Sequence, residues 1–255
     1  MKLYISPCPN DTFMFDAIIN KRIDTRGFDL DVEYHDIEEL NSRALKGEAD
    51  FSKISCAILP EIEDTHILMG SGAALGRGNG PLLVRRKGET TPLQHIATPG
   101  IHTTANALTI KLFPEIKGRT PMLFSEIAEA VERGDFDGGV LIHEGRFVYE
   151  SRNLELVADL GILWEERMQL PLPLGGIVAK KSLDPEVVEQ FETLLRQSIE
   201  YAFANPAVSR DFIKSHAQEL DDKVIDSHIA LFVNHYSLDL GSEGEEAILA
   251  LTARE

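Results

Sequence analysis

Ala44-Leu45-Lys46-Gly47-Glu48-Ala49-Asp50-Phe51 returns, residue class by residue class, as Ala130-Val131-Glu132-Arg133-Gly134-Asp135-Phe136-Asp137-Gly138. Each copy runs from the end of an apolar helix through a basic residue, a glycine and an acidic residue into an apolar strand. The first strand ends at Lys53-Ile54-Ser55 and the second at Leu141-Ile142-His143-Glu144. If the strands hold equivalent places in two sheets, Ser55 and His143 stand at corresponding C-terminal strand ends, where open α/β sheets bind ligands. Any helix–glycine–strand junction has the same look, so the echo alone leaves one sheet or two.

Outward from this motif the pattern alternates strand and helix, the mark of a parallel α/β sheet. Residues 2–6 read as a strand, 11–21 as a helix, 28–35 as a strand and 51–55 as a third strand. Asp36 caps the helix that reaches Lys46-Gly47, and Glu39 completes a capping box. Residues 70–81 carry five glycines in twelve positions. Residues 82–86 then read as a strand leaving a first lobe, and 174–179 as one that brings the chain back. Pro185 opens a helix with Val188, Phe191, Leu194, Leu195, Ile199 and Phe203 on one face, closed by Asn205-Pro206. Further helices are predicted over 207–215, 221–233 and 242–252. The reading is an α/β chain of two lobes around a central cleft, one from residues 1–85 plus 178–255 and the other from 86–177.

The chain has 255 residues, 43% of them hydrophobic, enough for a substantial core. It carries 25 Lys and Arg against 42 Asp and Glu, a formal charge of −17 that repels nucleic acid and anionic membrane surfaces. No run approaches the roughly 18–20 apolar residues of a membrane span, and Lys2-Leu3-Tyr4-Ile5 does not read as a secretory leader. A cytoplasmic protein with a small-molecule partner is expected. An acidic protein can still hold a small anion on backbone N–H groups at a helix start. The two cysteines, Cys8 and Cys56, have neither disulfide-framework nor metal-ligand spacing.

His143 is the leading candidate among the eight histidines. It closes an apolar strand, where an imidazole is placed to act as a general base; a hydrogen-bonded structural role fits the same position. No partner is assignable to Glu144 or Arg146. In 97–106 a strand turns into a helix start with hydroxyls beside its first N–H groups, which suits an anion site or an ordinary N-cap. His102 there reads as a second acid or a surface residue. Gly76-Arg77-Gly78-Asn79-Gly80 leads into a strand rather than a helix, so it does not read as a phosphate cradle. His228 and His235, seven apart on one predicted helix, lack an acidic third ligand, so no metal site is expected. Trp164 is a cleft wall or a structural turn. In Ser6-Pro7-Cys8-Pro9-Asn10-Asp11 the prolines stiffen a turn at the cleft edge, and Asn10 or Asp11 caps a helix starting near Thr12. Cys8 has no assignable basic neighbour to make it a nucleophile.

Together, Ser6-Pro7-Cys8-Pro9-Asn10-Asp11-Thr12-Phe13, Ala74-Leu75-Gly76-Arg77-Gly78-Asn79-Gly80-Pro81-Leu82, His102-Thr103-Thr104-Ala105, Ile142-His143-Glu144-Gly145-Arg146-Phe147 and Trp164-Glu165-Glu166 with Leu170-Pro171-Leu172-Pro173-Leu174-Gly175 resemble the 1,4-dihydroxy-6-naphthoate synthase family of the futalosine route to menaquinone. The resemblance spans residues 1 to about 250 in order. It implies a type II periplasmic-binding-protein-like fold with two crossing strands, used as a cytoplasmic carbon–carbon lyase without metal or redox cofactor. The substrate it implies is cyclic dehypoxanthinylfutalosine, a carboxylated bicycle joined in a spiro ring to a sugar-derived part. The products are 1,4-dihydroxy-6-naphthoate and dihydroxyacetone. By the same resemblance His143 is the base, Lys53, Ile54 and Ser55 are first-lobe contacts, and Thr103, Thr104 and Ala105 are second-lobe contacts. Ser6, Pro9, Asn10, Arg77 and Trp164 are candidate cleft lining. A homodimer is left open. Leu163-Trp164 and Met168-Gln169 depart from the family's paired tryptophans and Thr-Gly, and the segment after Leu251 is short, which bears on the cleft rim rather than the chemistry. The alternatives are a chorismate dehydratase of the same pathway and fold, or a non-enzymatic small-molecule-binding protein.

Overall fold

The computed structural model describes residues 1–78, 80–143, 145–217 and 220–253, with only the backbone of Phe147 and Val148. Strands β1 (Lys2–Ile5), β2 (Asp31–Tyr34), β3 (Phe51–Ser55), β4 (His66–Leu68), β5 (Ala74–Gly76), β6 (Leu82–Arg86), β7 (His95–Thr98), β8 (Gly118–Pro121), β9 (Gly138–Leu141), β10 (Leu154–Asp159) and β11 (Leu172–Lys180) divide between two sheets. The first has the order β2-β1-β3-β11-β4, with β5 also on β11; the second has the order β10-β6-β9-β7-β8.

The two sheets repeat one plan. β1 pairs in parallel with β2 and β3, as β7 does with β8 and β9. The next two neighbours are antiparallel in both: β3 to β11 to β4, and β9 to β6 to β10. The repeated motif therefore falls on corresponding strands, β3 and β9. Its glycines share one cause, since Gly47 (φ 63°) and Gly134 (φ 87°) both end a helix in the left-handed region that a Cβ disfavours.

Each lobe wraps its sheet with helices. In the first, helices Pro9–Ile19 and Pro185–Ala204 pack on Leu3, Ile5 and Phe51, with Phe51 and Phe191 stacked at 3.7 Å between ring centroids. In the second, Ile96, Leu108, Val140 and Trp164 share a core with Ala247 and Leu251 of the C-terminal helix Gly241–Thr252, which joins the lobes. The helix thus packs on residues of both lobes, Cys56 and Leu75 of the first among them, rather than on one sheet alone.

β5 and the start of β11 lie side by side, with Gly76 opposite Leu172, and lead the chain out of and back into the first sheet. β6 pairs only within the second sheet and β11 only within the first. The exchanges thus fall at 77–81 and 169–171, ahead of the sequence-based limits at 85/86 and 177/178. An apolar strand reads alike in either sheet, so only pairing places it. At the outgoing exchange the backbones of Gly80 and Gly161 touch: a Cβ on Gly80 would lie 2.0 Å from Gly161 N. Gly161→Ala is expected to cost about 1–3 kcal/mol, read as a lower urea midpoint with unchanged slope.

Several local expectations shift. The first helix begins at Pro9, with Cys8 rather than Asn10 or Asp11 as N-cap and no side-chain cap bond. Proline suits the first helical position because its missing N–H is an orphan there anyway. Asp36 does cap the helix Ile37–Leu45, but Glu39 turns to Arg43 and to the His35 ring, so the box is not closed. The helix carrying His228 ends at Phe232 and His235 opens another, Asn234 capping it, so the two histidines do not share a helix face. Gln169 takes a left-handed φ of 58°, and its side-chain amide donates to Glu165 O and Glu166 O to close the helix Leu160–Met168.

Candidate active site

Between the lobes lies a cleft of about 680 Å3. Its first-lobe wall includes Ser6 and Asn10 from the end of β1 and the helix after it, Lys53 and Ser55 from β3, and His228 and Phe232 from the helix Asp222–Phe232. Its second-lobe wall includes Thr103, Thr104 and Ala105 at a helix start and Ile142, His143 and Arg146 after β9. Both repeated strands thus deliver a residue to the cleft from their C-terminal ends, as open α/β sheets do.

The first-lobe wall is organised by Asp11, which is fully buried. It accepts from Ser6 N (3.1 Å) and Ser6 Oγ (2.7 Å) through one oxygen and from Asn10 Nδ2 (2.8 Å) through the other. Lys53 Nζ lies 3.1 Å from Asp11 Oδ1. The expected helix-capping carboxylate is instead the counter-ion of a buried lysine. Ser55 is held by Asn41, which donates to its Oγ at 2.9 Å and accepts from its backbone N–H at 2.8 Å.

On the second lobe, Thr103 N-caps the helix Thr104–Leu112: its Oγ accepts from Asn106 N (3.2 Å) and donates to Gly100 O (2.8 Å). Thr104 Oγ donates to Leu174 O (2.8 Å) and accepts from Ala57 N (3.3 Å), so it ties the lobes together. With both hydroxyls engaged, the donors left at this helix start are the backbone N–H groups of Thr104 and Ala105, which no helical carbonyl can reach.

His143 sits in the turn after β9 with a left-handed φ of 53°, a conformation that costs a non-glycine residue on the order of 1–2 kcal/mol. Its Nδ1 is 3.5 Å from Cys8 Sγ across the cleft. Cys8 therefore has the basic neighbour that sequence could not assign. Arg146 donates to Gly80 O (2.7 Å) and Gly78 O (3.2 Å), with Asp159 Oδ2 at 3.3 Å, and so pins the outgoing crossing against the second lobe. A further clasp closes the rim: His102 N and Nδ1 lie 3.0 and 2.6 Å from the Glu38 carboxylate of the opposite lobe. His102 is thus neither a catalytic acid in the cleft nor a bare surface residue.

Of the residues singled out in the sequence, Ser6, Asn10, Lys53, Ser55, Thr103, Thr104, Ala105 and His143 line the cleft; Pro9, Ile54, Arg77 and Trp164 do not. Pro9 is a buried helix start and Ile54 points to the opposite face of β3, into a core with Ala44 and Val178. Arg77 turns outward to Glu243 (3.0 Å), and Trp164 is 1% exposed in the second core, its Nε1 donating to Pro171 O at 3.1 Å. Asn79 and Glu144 lie outside the described residues. His228 and Phe232 escaped the sequence reading because a His on an apolar helix face looks like core. The usable signal was the spacing of Ile225, His228 and Phe232 on one stripe.

The Cys56 thiol is fully buried and pushed up to about 12, which keeps it protonated and inert. Burial, then the neighbouring His143, Arg146 and Lys53, pushes the His228 imidazole well below its ordinary 6.5. The native protein holds it neutral, whereas the unfolded chain protonates it below about pH 6.5. As pH falls past that value the unfolded state gains a proton that the native state does not. Stability should then drop by about 1.4 kcal/mol per pH unit for this group. His66, lowered by burial and by Lys180, acts in the same direction. Urea midpoints measured between about pH 7 and 5 should fall, less steeply in His228→Gln.

A family model described as menaquinone biosynthesis matches residues 1–255. The chain is 40% identical over 258 residues to a 1,4-dihydroxy-6-naphtoate synthase of Thermus thermophilus, covering 99% of this chain and 93% of that protein. It is 39% identical to a 1,4-dihydroxy-6-naphtoate synthase of Streptomyces coelicolor, covering 100% and 92%. Protein AF1704 of Archaeoglobus fulgidus superposes with a TM-score of 0.93 at 31% identity, covering 98% of this chain and 94% of that one. The periplasmic aliphatic sulphonate binding protein SsuA of Escherichia coli, at 8% identity and a TM-score of 0.67 over 99% and 85%, shares the fold. Among the described residues no helix is long and apolar enough to cross a membrane.

Proposed function

This chain belongs to the menaquinone-biosynthesis family over its whole length, and from that premise we propose that it is a cytoplasmic carbon–carbon lyase of the futalosine route. Its substrate is cyclic dehypoxanthinylfutalosine and its products are 1,4-dihydroxy-6-naphthoate and dihydroxyacetone. The carrying observation is that one cleft joins an imidazole on a strained turn, His143, to a buried lysine on one lobe and a helix start on the other.

In the tautomer whose Nδ1–H faces Cys8 Sγ, His143 Nε2 holds the lone pair that takes the substrate proton. The electron pair released opens the spiro ring. A retro-aldol cleavage then frees the three-carbon fragment, and aromatisation of the bicycle draws the reaction forward. The N–H groups of Thr104 and Ala105 hold the substrate carboxylate at the positive end of their helix, which is how a chain of charge −17 takes an acidic ligand. Lys53 stabilises the oxyanion formed next to the breaking bond. The contacts of Glu38 with His102 and of Thr104 with Leu174 hold the lobes shut and keep water out.

The test is incubation of the purified protein with cyclic dehypoxanthinylfutalosine and, separately, with chorismate, with products followed by liquid chromatography. The naphthoate from the first supports the reading. Consumption of chorismate instead identifies a dehydratase, and thermal stabilisation without turnover of either identifies a binding protein.

A further inference from the structure

One polar atom of the cleft wall has no part in the chemistry above. His228 is 1% exposed, and its ring forms part of the wall beside Asn10 and His143. Its Nε2 lies 3.0 Å from Asn10 Oδ1. The other end of that amide is committed: Asn10 Nδ2 donates at 2.8 Å to the Asp11 carboxylate, which only accepts. The atom facing His228 is therefore an amide oxygen, and only an Nε2–H can satisfy it. Asp11 is itself fixed by Ser6 and Lys53. The chain from Lys53 through Asp11 and Asn10 thus sets the His228 tautomer, with its proton on Nε2 and its lone pair on Nδ1. Nδ1 has no hydrogen-bond partner among the described residues. Its close ring neighbour is Phe232, at 4.6 Å between centroids, which offers no donor. Buried acceptors are rarely left unanswered in folded proteins.

We propose that His228 Nδ1 is a substrate-binding atom, accepting a hydrogen bond from a hydroxyl of the sugar-derived part of the substrate. The proposal rests on the lyase reading above. A neutral imidazole nitrogen bearing a lone pair attracts O–H and repels a carboxylate, so this wall takes the hydroxylated end of the substrate and leaves the carboxylate to Thr104 and Ala105. The His143 ring is 6.0 Å away, nearly parallel at 17°, so a hydroxyl held by His228 sits one residue's reach from the base. His228 thereby orients the fragment that leaves as dihydroxyacetone.

His228→Gln tests this, because glutamine keeps an N–H for Asn10 Oδ1 and exchanges the rigid ring acceptor at Nδ1 for an amide oxygen on a flexible side chain. Expected are a loss in kcat/KM for cyclic dehypoxanthinylfutalosine on the order of 10- to 100-fold and an affinity for 1,4-dihydroxy-6-naphthoate, which lacks the sugar-derived part, that stays within about 3-fold. A kcat/KM within about 3-fold of wild type, or product affinity falling in step with it, overturns the proposal. Should the variant not fold, nitrogen-15 spectra of histidine-labelled His143→Ala protein decide. The unprotonated Nδ1 resonance of His228 should move on adding substrate and stay put with product; an unmoved resonance overturns the assignment. Wild-type protein that fails to convert the substrate fails the lyase reading itself, whereas turnover by wild type and His228→Gln alike fails only the role of His228.

Discussion

His143→Ala should turn over cyclic dehypoxanthinylfutalosine on the order of 100- to 10,000-fold more slowly than wild type, with KM nearly unchanged. The size follows from what the imidazole is asked to do. A positioned general base acts on the transition state, whereas in the proposed reading the bound substrate is held by other groups, the helix start at Thr104 among them. The turn that carries His143 has a left-handed φ of 53°, so alanine keeps the same backbone cost and loses only the ring. The melting temperature should therefore stay within a few degrees. Cys8→Ala, which removes the group 3.5 Å from Nδ1, separates two roles for that contact. If the thiol only sets the tautomer, the pH–rate profile shifts and turnover falls modestly; loss as large as for His143→Ala would make Cys8 itself a reacting group. Near wild-type turnover by His143→Ala would remove the base from the mechanism.

The second large effect is on stability. Asp11 is fully buried and Lys53 is 5% exposed, with 3.1 Å between their charges. Asp11→Ala strands the lysine in the core and should cost about 3–5 kcal/mol, read from urea unfolding monitored by circular dichroism. Lys53→Met should cost less, because Asp11 keeps three donors from Ser6 and Asn10. The double variant should recover much of the loss, since no unpaired charge then remains. Asp11→Ala costing under about 1 kcal/mol would mean that the pair is hydrated rather than dry. The same substitution frees the Asn10 amide to rotate, so it should also weaken the tautomer control of His228.

Much of this protein was legible in one dimension because its determinants are local. The repeated helix–glycine–strand motif, which by itself left one sheet or two, falls on corresponding strands of two sheets, and Gly47 and Gly134 each fill a backbone conformation that other residues avoid. The strand-end rule then pointed from β3 and β9 to Ser55 and His143, and the conjunction of motifs pointed to the family. The crossing points, the outward turn of Arg77, the burial of Trp164 and the partners of Asp11, Cys8 and His228 were not legible. Each depends on contacts between residues far apart in the chain: Cys8 meets His143 across 135 positions and Asn10 meets His228 across 218. Backbone propensity and periodicity are set by neighbours within a few residues, so the sequence alone determined the elements, their repetition and the general place of the cleft. Charge pairing, tautomers and the choice of which polar side chain faces the cleft depend on what is packed opposite, and only the tertiary structure decided those.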